Sequence, residues 1–187
     1  MRKLTEEEGD YLRDNLRYDP ETGHLWWTKP LNRRRIDKPA GYVHNIKGYV
    51  CLNLTLTDGQ FACGAHRVAW FLHYGVWPKD MIDHINGVRY DNRISNLREA
   101  TNRENQSNSR KLANCSSQYK GVSFNKGQQK WQSRVKVNEK NLYLGGYTSE
   151  EEAARAYDKA AREIFGDYAC LNFPEEHEQG AIHGHDV

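Results

Sequence analysis

The stretch from Asp83 to Asn105 gathers residue types that do chemistry. It opens with Asp83-His84-Ile85-Asn86-Gly87, continues with Asp91-Asn92-Arg93-Ile94-Ser95-Asn96-Leu97, and closes with Thr101-Asn102-Arg103-Glu104-Asn105. A carboxylate and an imidazole stand side by side. An imidazole with an ordinary pKa of about 6.5 is poised to take up a proton at neutral pH, and such proton transfer is typically worth roughly 10²–10⁴-fold in rate. Arg89, Arg93, Arg98 and Arg103 are interleaved with this set, and guanidinium groups suit phosphate oxygens. A second chemical signal lies between Gln118 and Tyr147. There Lys120, Lys126, Lys130, Arg134, Lys136 and Lys140 are opposed only by Glu139, which suits a polyanion.

These side chains need elements to hold them. Met81 and Ile82 are apolar and predict the end of a strand, so Asp83 and His84 point to opposite sides beside the Asn86-Gly87 turn. Ile94 and Leu97 anchor the following loop, and the amides of Asn92 and Asn96 can hold its shape. Thr101 with Glu104 three residues on reads as a capping box, which sets Asn105 in the first turns of a helix.

In the basic stretch, 119–124, 130–137 and 141–147 predict three strands joined by turns at Asn125-Lys126-Gly127 and Asn138-Glu139-Lys140. The middle strand alternates: Trp131, Ser133, Val135 and Val137 share one face, and Lys130, Gln132, Arg134 and Lys136 the other. Ser149 and Glu152 then cap a helix whose stripe Ala153, Tyr157, Ala160 and Ile164 covers the apolar face, and Gly166 ends it.

The rest of the chain supports these two parts. A short helix follows Thr5, with Glu8 completing its capping box; Asp19-Pro20-Glu21-Thr22-Gly23 is a turn and Leu25-Trp26-Trp27 a strand. Strands at 48–56 and 61–65 flank Thr57-Asp58-Gly59, and 66–74 predicts a helix ended by Gly75 and Pro78. Arg33, Arg34 and Arg35 form a basic loop, either a solvated face or an arm on phosphate. The domain reading is 1–65 β-rich with a short helix, 66–110 the chemical core, 111–117 a linker, 118–174 the sheet-and-helix unit, and 175–187 an acidic disordered tail.

The run D-H-I-N-G-x(3)-D-N-R-I-x-N-L-R-x-A-T-x(3)-N resembles the HNH nucleases, in particular the phage and intron-encoded homing type. The resemblance implies a ββα-metal site. His84 would be the general base, Asp83 a ligand of a divalent cation, Asn96 the residue that holds the loop between the two strands, and Asn105 the residue that completes the protein ligands, with His84, Asn96 and Asn105 as the catalytic set. Many members carry His where this chain has Asn105, and an oxygen ligand suits Mg²⁺ or Mn²⁺.

The words YKGV, KWQSRV, YLGGY, EEAARAYDKAA, FG and LNFP resemble the AP2 (ERF-type) DNA-binding domain over 118–174. By position, Lys120, Ser123, Asn125, Arg134, Lys136 and Tyr143 would face DNA, joined by Arg33, Arg34, Arg35 and Arg93 from the first part. Ser123 and Asn125 stand where plant relatives usually have Arg, and Tyr143 where they have Trp, so the plant target sequence is not carried over.

Composition agrees with this reading. The 187 residues hold 27 Lys+Arg and 25 Asp+Glu, and 175–187 supplies four of the acids with no base, so the body is more basic than the net +2 suggests. No apolar run approaches the roughly 18 residues of a membrane span, and Met1–Asn15 has no signal-like apolar stretch. Cys51, Cys63, Cys115 and Cys170 lie far apart and read as free thiols, with Cys63-x-x-His66 too small a set for zinc. The expectation is an α+β chain: a metal-dependent DNA endonuclease of the homing type, acting on double-stranded DNA as monomer or homodimer in the cytoplasm of a bacterial host, phage-encoded. A non-catalytic sequence-specific DNA-binding regulator is the alternative.

Overall fold

The computed structural model describes residues 4–30, 35–56, 59–109 and 116–174. The basic residues Arg33 and Arg34, the turn residues Thr57 and Asp58, Cys115 and the tail 175–187 lie outside them. The chain divides into two compact units, 1–102 and 103–187.

In the first unit, α1 (Glu6–Asn15) begins at Thr5, whose hydroxyl accepts from Glu8 N while the Glu8 carboxylate accepts from Thr5 N. Each end of this reciprocal bond satisfies a backbone N–H that the first helical turn leaves unpaired. The chain then pairs β1 (Leu16–Tyr18) with β2 (Leu25–Trp27) around the Asp19–Gly23 turn. β3 (Tyr42–Val43), β4 (Val50–Leu56) and β5 (Gly59–Gly64) form an antiparallel sheet in that order.

Next comes α2 (Ala65–Tyr74), ended by Gly75 in the left-handed conformation. It works on two sides. Val68 and Phe71 join the main core with Leu12, Leu16, Leu25, Leu52 and Leu54. Ala69 packs with Ile82 and Leu97 from the short antiparallel pair β6 (Met81–His84) and β7 (Leu97–Ala100). The chemical strands are thereby seated on α2. Buried Arg67 reinforces the approach to β6, donating from Nη1 to Asp80 O (2.9 Å) and from Nη2 to Pro78 O (3.1 Å). α3 (Asn102–Ser107) follows β7 and crosses the boundary between the units.

The second unit holds β8 (Val122–Asn125), β9 (Lys130–Val137) and β10 (Lys140–Tyr147), an antiparallel sheet with β9 central, and α4 (Glu150–Phe165). Val122, Val135, Ala153, Ala154, Tyr157 and Ala161 are buried between sheet and helix. Alanines let the helix lie close to the strands. The mixed α+β architecture expected from the sequence holds, with a three-stranded sheet backed by one helix.

Two local expectations are corrected. The first strand of this sheet begins at Val122 rather than at residue 119, because Gly121 turns the chain at φ +76°, where a Cβ would lie 2.0 Å from the Tyr157 ring. Gln132 is buried rather than open on the basic face. Its amide donates to Gln128 Oε1 and accepts from Arg134 Nη2, so it is held flat between them. Among the described residues no helix is long and apolar enough to cross a membrane.

Candidate functional site

Asp83 and His84 end β6, and both are 4% exposed. Period-two alternation sends them to opposite sides of the strand. Asp83 faces its cross-strand neighbour Arg98, which donates to Asp83 Oδ2 from Nε (3.0 Å) and Nη2 (2.9 Å). A buried carboxylate needs such a partner to stay charged.

His84 lies on the other side. Its Nε2 is 3.0 Å from Asn92 Oδ1, and Asn92 is 2% exposed. The ring is flanked by His66 from the start of α2, edge-on at 5.3 Å between centroids, and by Tyr49 at 5.8 Å. Arg89 stacks over Tyr49 at 5.1 Å and donates to Lys47 O. Burial lowers the His84 pKa below the ordinary histidine value, against the opposing pull of the Asn92 bond and of Asp83 and Asp91. The imidazole is therefore neutral at neutral pH, with a ring nitrogen free of a proton. Burial takes His66 further, down to about 3, with the charges of His84 and Arg67 adding to the effect.

The loop between β6 and β7 is braced from inside. Asn96 accepts from Asn86 N through Oδ1 (2.9 Å) and donates through Nδ2 to Asp91 O (2.8 Å), while Asn96 O accepts from Ile85 N. One buried carboxamide thus ties both ends of the loop together. The Asp91 carboxylate accepts from Asn86 Nδ2 and from both Arg93 Nε (2.8 Å) and Nη2 (2.6 Å), which holds its pKa down at about 2.

Several expected site residues have intramolecular partners. Arg93 is engaged by Asp91, and Arg35 by Asp37 through both nitrogens of its fork. Asn105 is half-buried on α3, with residues 103–107 in the second unit. Lys120 precedes β8 rather than standing on the sheet face: its Nζ donates to Ser107 O (2.6 Å) and lies 5.9 Å from the centroid of the Tyr157 ring. Four contacts at this strand end went unanticipated in the sequence reading: the Asn92–His84 bond, the Arg98–Asp83 pair, and the ring contacts of His66 and Tyr49 with His84. Only the Asp83–Arg98 pair has a sequence signal, opposite charges at facing strand positions, and that requires knowing the register.

The open face of the second sheet follows from its register. Ser123 faces Gln132, Asn125 faces Lys130, Tyr143 faces Arg134 and Asn141 faces Lys136. Arg134 is exposed beside the Tyr143 ring at 5.9 Å, and Tyr143 is itself exposed. The result is a cationic surface with one aromatic, supported from behind by α4. The turn joining β9 to β10 takes Asn138 and Glu139 at φ 48° and 64°, the primed geometry that matches strand twist.

Asp83 in the first unit and Asn105 in the second are each, by chemistry, hard oxygen donors of the kind a divalent cation takes. Among the described residues no three His, Cys, Asp or Glu are grouped to form a chelate.

Comparison with known proteins finds two family models along the chain. The family model of HNH endonucleases matches residues 63–107, and that of the AP2 domain matches 117–167. The chain is 45% identical over 58 residues to APETALA2-like protein 2 of Oryza sativa subsp. indica, covering 31% of this chain and 13% of that protein. It is 32% identical over 103 residues to ethylene-responsive transcription factor WRI1 of Arabidopsis thaliana, covering 52% of this chain and 24% of that protein. The chain thus spans a small fraction of the length of the curated relatives it matches. From residue 63 to 107 and from 117 to 167, it joins an HNH endonuclease domain to an AP2 domain, in that order.

Proposed function

We propose that the protein is a metal-dependent, site-specific DNA endonuclease of the homing type, in which residues 66–110 cut and residues 118–174 select the site. The observation that carries this reading is the end of β6. A buried, neutral imidazole and a buried carboxylate paired with Arg98 are adjacent there, each held by its own partner. His84 takes the proton from the attacking water. Asp83 and Asn105 would hold a divalent cation, Mg²⁺ or Mn²⁺, which when bound stabilises charge on the scissile phosphate and the leaving oxygen. Asn96 keeps the loop closed around the histidine. Arg134, Lys136 and Tyr143, with Ser123 and Asn125, form the surface that meets double-stranded DNA, since exposed guanidinium and amide groups on a sheet suit base edges and phosphates. One active site per chain gives nicking by a monomer and a double-strand break by a pair of chains. The site of action is a bacterial cytoplasm, for a phage-encoded gene.

The test is cleavage of supercoiled DNA from the source locus with Mg²⁺, with Mn²⁺ and with EDTA, beside His84→Ala. Metal-dependent nicked or linear product is expected, absent in the variant while DNA binding persists. Cutting by His84→Ala removes the histidine as base. A second reading, a non-catalytic DNA-binding regulator, is favoured by the relatives' naming as transcription factors. A gel shift without cutting under either metal would establish it.

A further inference from the structure

The turn Asp19–Gly23 is far in sequence from the chemical strands, yet it is built against them. Asp19 accepts from Gly23 N through its carbonyl and from Glu21 N and Thr22 N through Oδ1, so the turn is set by its own bonds. Three of its features then meet the segment 92–94. Tyr18 Oη donates to Asn92 O at 2.7 Å. Pro20 O accepts from Ile94 N at 3.2 Å. Gly23, at φ +74°, lies so close that a Cβ would stand 2.4 Å from Arg93 N and 2.5 Å from Asn92 C. Burial raises the Tyr18 phenol above its ordinary value, so it remains a donor.

What this clamp holds still is the residue whose side chain meets His84 Nε2. We propose that Asn92 is a positioning residue for the histidine base: by accepting from Nε2–H it selects that tautomer, makes Nδ1 the proton-accepting nitrogen, and is itself kept in place by Tyr18, Pro20 and Gly23. This rests on the nuclease reading and deepens it. A neutral imidazole has one donor and one acceptor nitrogen, and a fixed acceptor on one nitrogen decides which is which. Asn92 is 2% exposed, so water does not compete for the bond. The N-terminal segment is on this view part of the catalytic apparatus.

The test uses the full chain with two readouts. The first is the ¹⁵N spectrum of histidine-labelled protein at pH 8 without metal or DNA, with His84 assigned by His84→Gln. Wild type is expected in the Nε2–H form, and Asn92→Ala in a mixture. A wild-type Nδ1–H form, or an unmoved spectrum in the variant, overturns the proposal. The second is single-turnover cleavage of supercoiled DNA with Mg²⁺. Asn92→Ala is expected to cut about 10- to 100-fold more slowly at unchanged DNA affinity, the usual cost of losing an orienting partner. Asn92→Asp, which keeps an acceptor oxygen, recovers most of the rate. A fully active Asn92→Ala, or a loss that Asn92→Asp does not recover, overturns the proposal. If Asn92→Ala does not fold, Tyr18→Phe carries both readouts and is expected to shift the tautomer and slow cutting in the same direction. A wild type that binds DNA but does not cut it with Mg²⁺ or Mn²⁺ overturns the nuclease reading, while the spectrum still decides the proton's position.

Discussion

At the residue scale, His66 and His84 tie the first unit to pH. Both are buried with pKa values below the ordinary histidine range. An unfolded chain takes up their protons as pH falls through about 6.5, whereas folded His66 resists to about 3, so the unfolded state binds more protons in that window. Stability is therefore fully present above about pH 6.5 and declines below it, by at most about 1.4 kcal/mol per pH unit for each such group. Urea midpoints between pH 7 and pH 4 should show this decline. His66→Gln, which cannot be protonated, should flatten it; an equal decline in the variant would assign the effect to other groups. Asp83, which the sequence presents as a lone acid, is half of a buried ion pair with Arg98.

At the element scale, the second unit depends on how α4 begins and on how closely the chain passes over it. Ser149 accepts from Glu151 N, and Glu152 returns a bond to Ser149 N. Ser149→Ala should cost about 1 kcal/mol of this unit's stability, the usual value for a lost cap. Gly121→Ala should cost far more, since the added Cβ meets the Tyr157 ring and the backbone is in the left-handed region. Urea unfolding followed by the fluorescence of Trp131 separates the two. Similar midpoints for both variants would mean that the strand start shifts to accommodate the methyl group. A further tie closes the unit: the Asp158 carboxylate accepts from Asn172 N, Asn172 Nδ2 and Phe173 N, fastening the segment after the helix back onto it.

At the scale of the whole molecule, the proposed function assigns cutting to the HNH stretch and reading to the AP2 stretch. Removing a sheet-face charge should then change affinity without changing chemistry. Arg134→Ala and Lys136→Ala should each weaken binding and, where the lost contact is to phosphate, lower the salt slope by about one. Cleavage at saturating protein should remain at the wild-type rate. If Arg134 reads a base instead, its loss should cost roughly 1–3 kcal/mol on the target sequence and little elsewhere. Unchanged affinity in both variants would move the DNA-facing surface off this sheet.

Much of this was legible in the sequence, because the signals are local. Capping boxes at Thr5 and Ser149, the helix stop at Gly75 and the alternation of 130–137 depend only on near neighbours, and the structure has them at those positions. The α+β class follows from the same signals, whereas the two matched stretches were legible through the resemblance of their motifs to the HNH and AP2 families. What only the tertiary structure decided is pairing between distant residues. Tyr18 meets Asn92 across 74 positions, Asp83 meets Arg98 through strand register, and Lys120 turns to Ser107 instead of the open face. Such contacts depend on where elements pack, and a one-residue change of register would exchange which side chains face inward. The sequence alone determined which residues could do the chemistry; the packing of α2 and of the 19–23 turn against the strand ends decided which of them are held ready to do it.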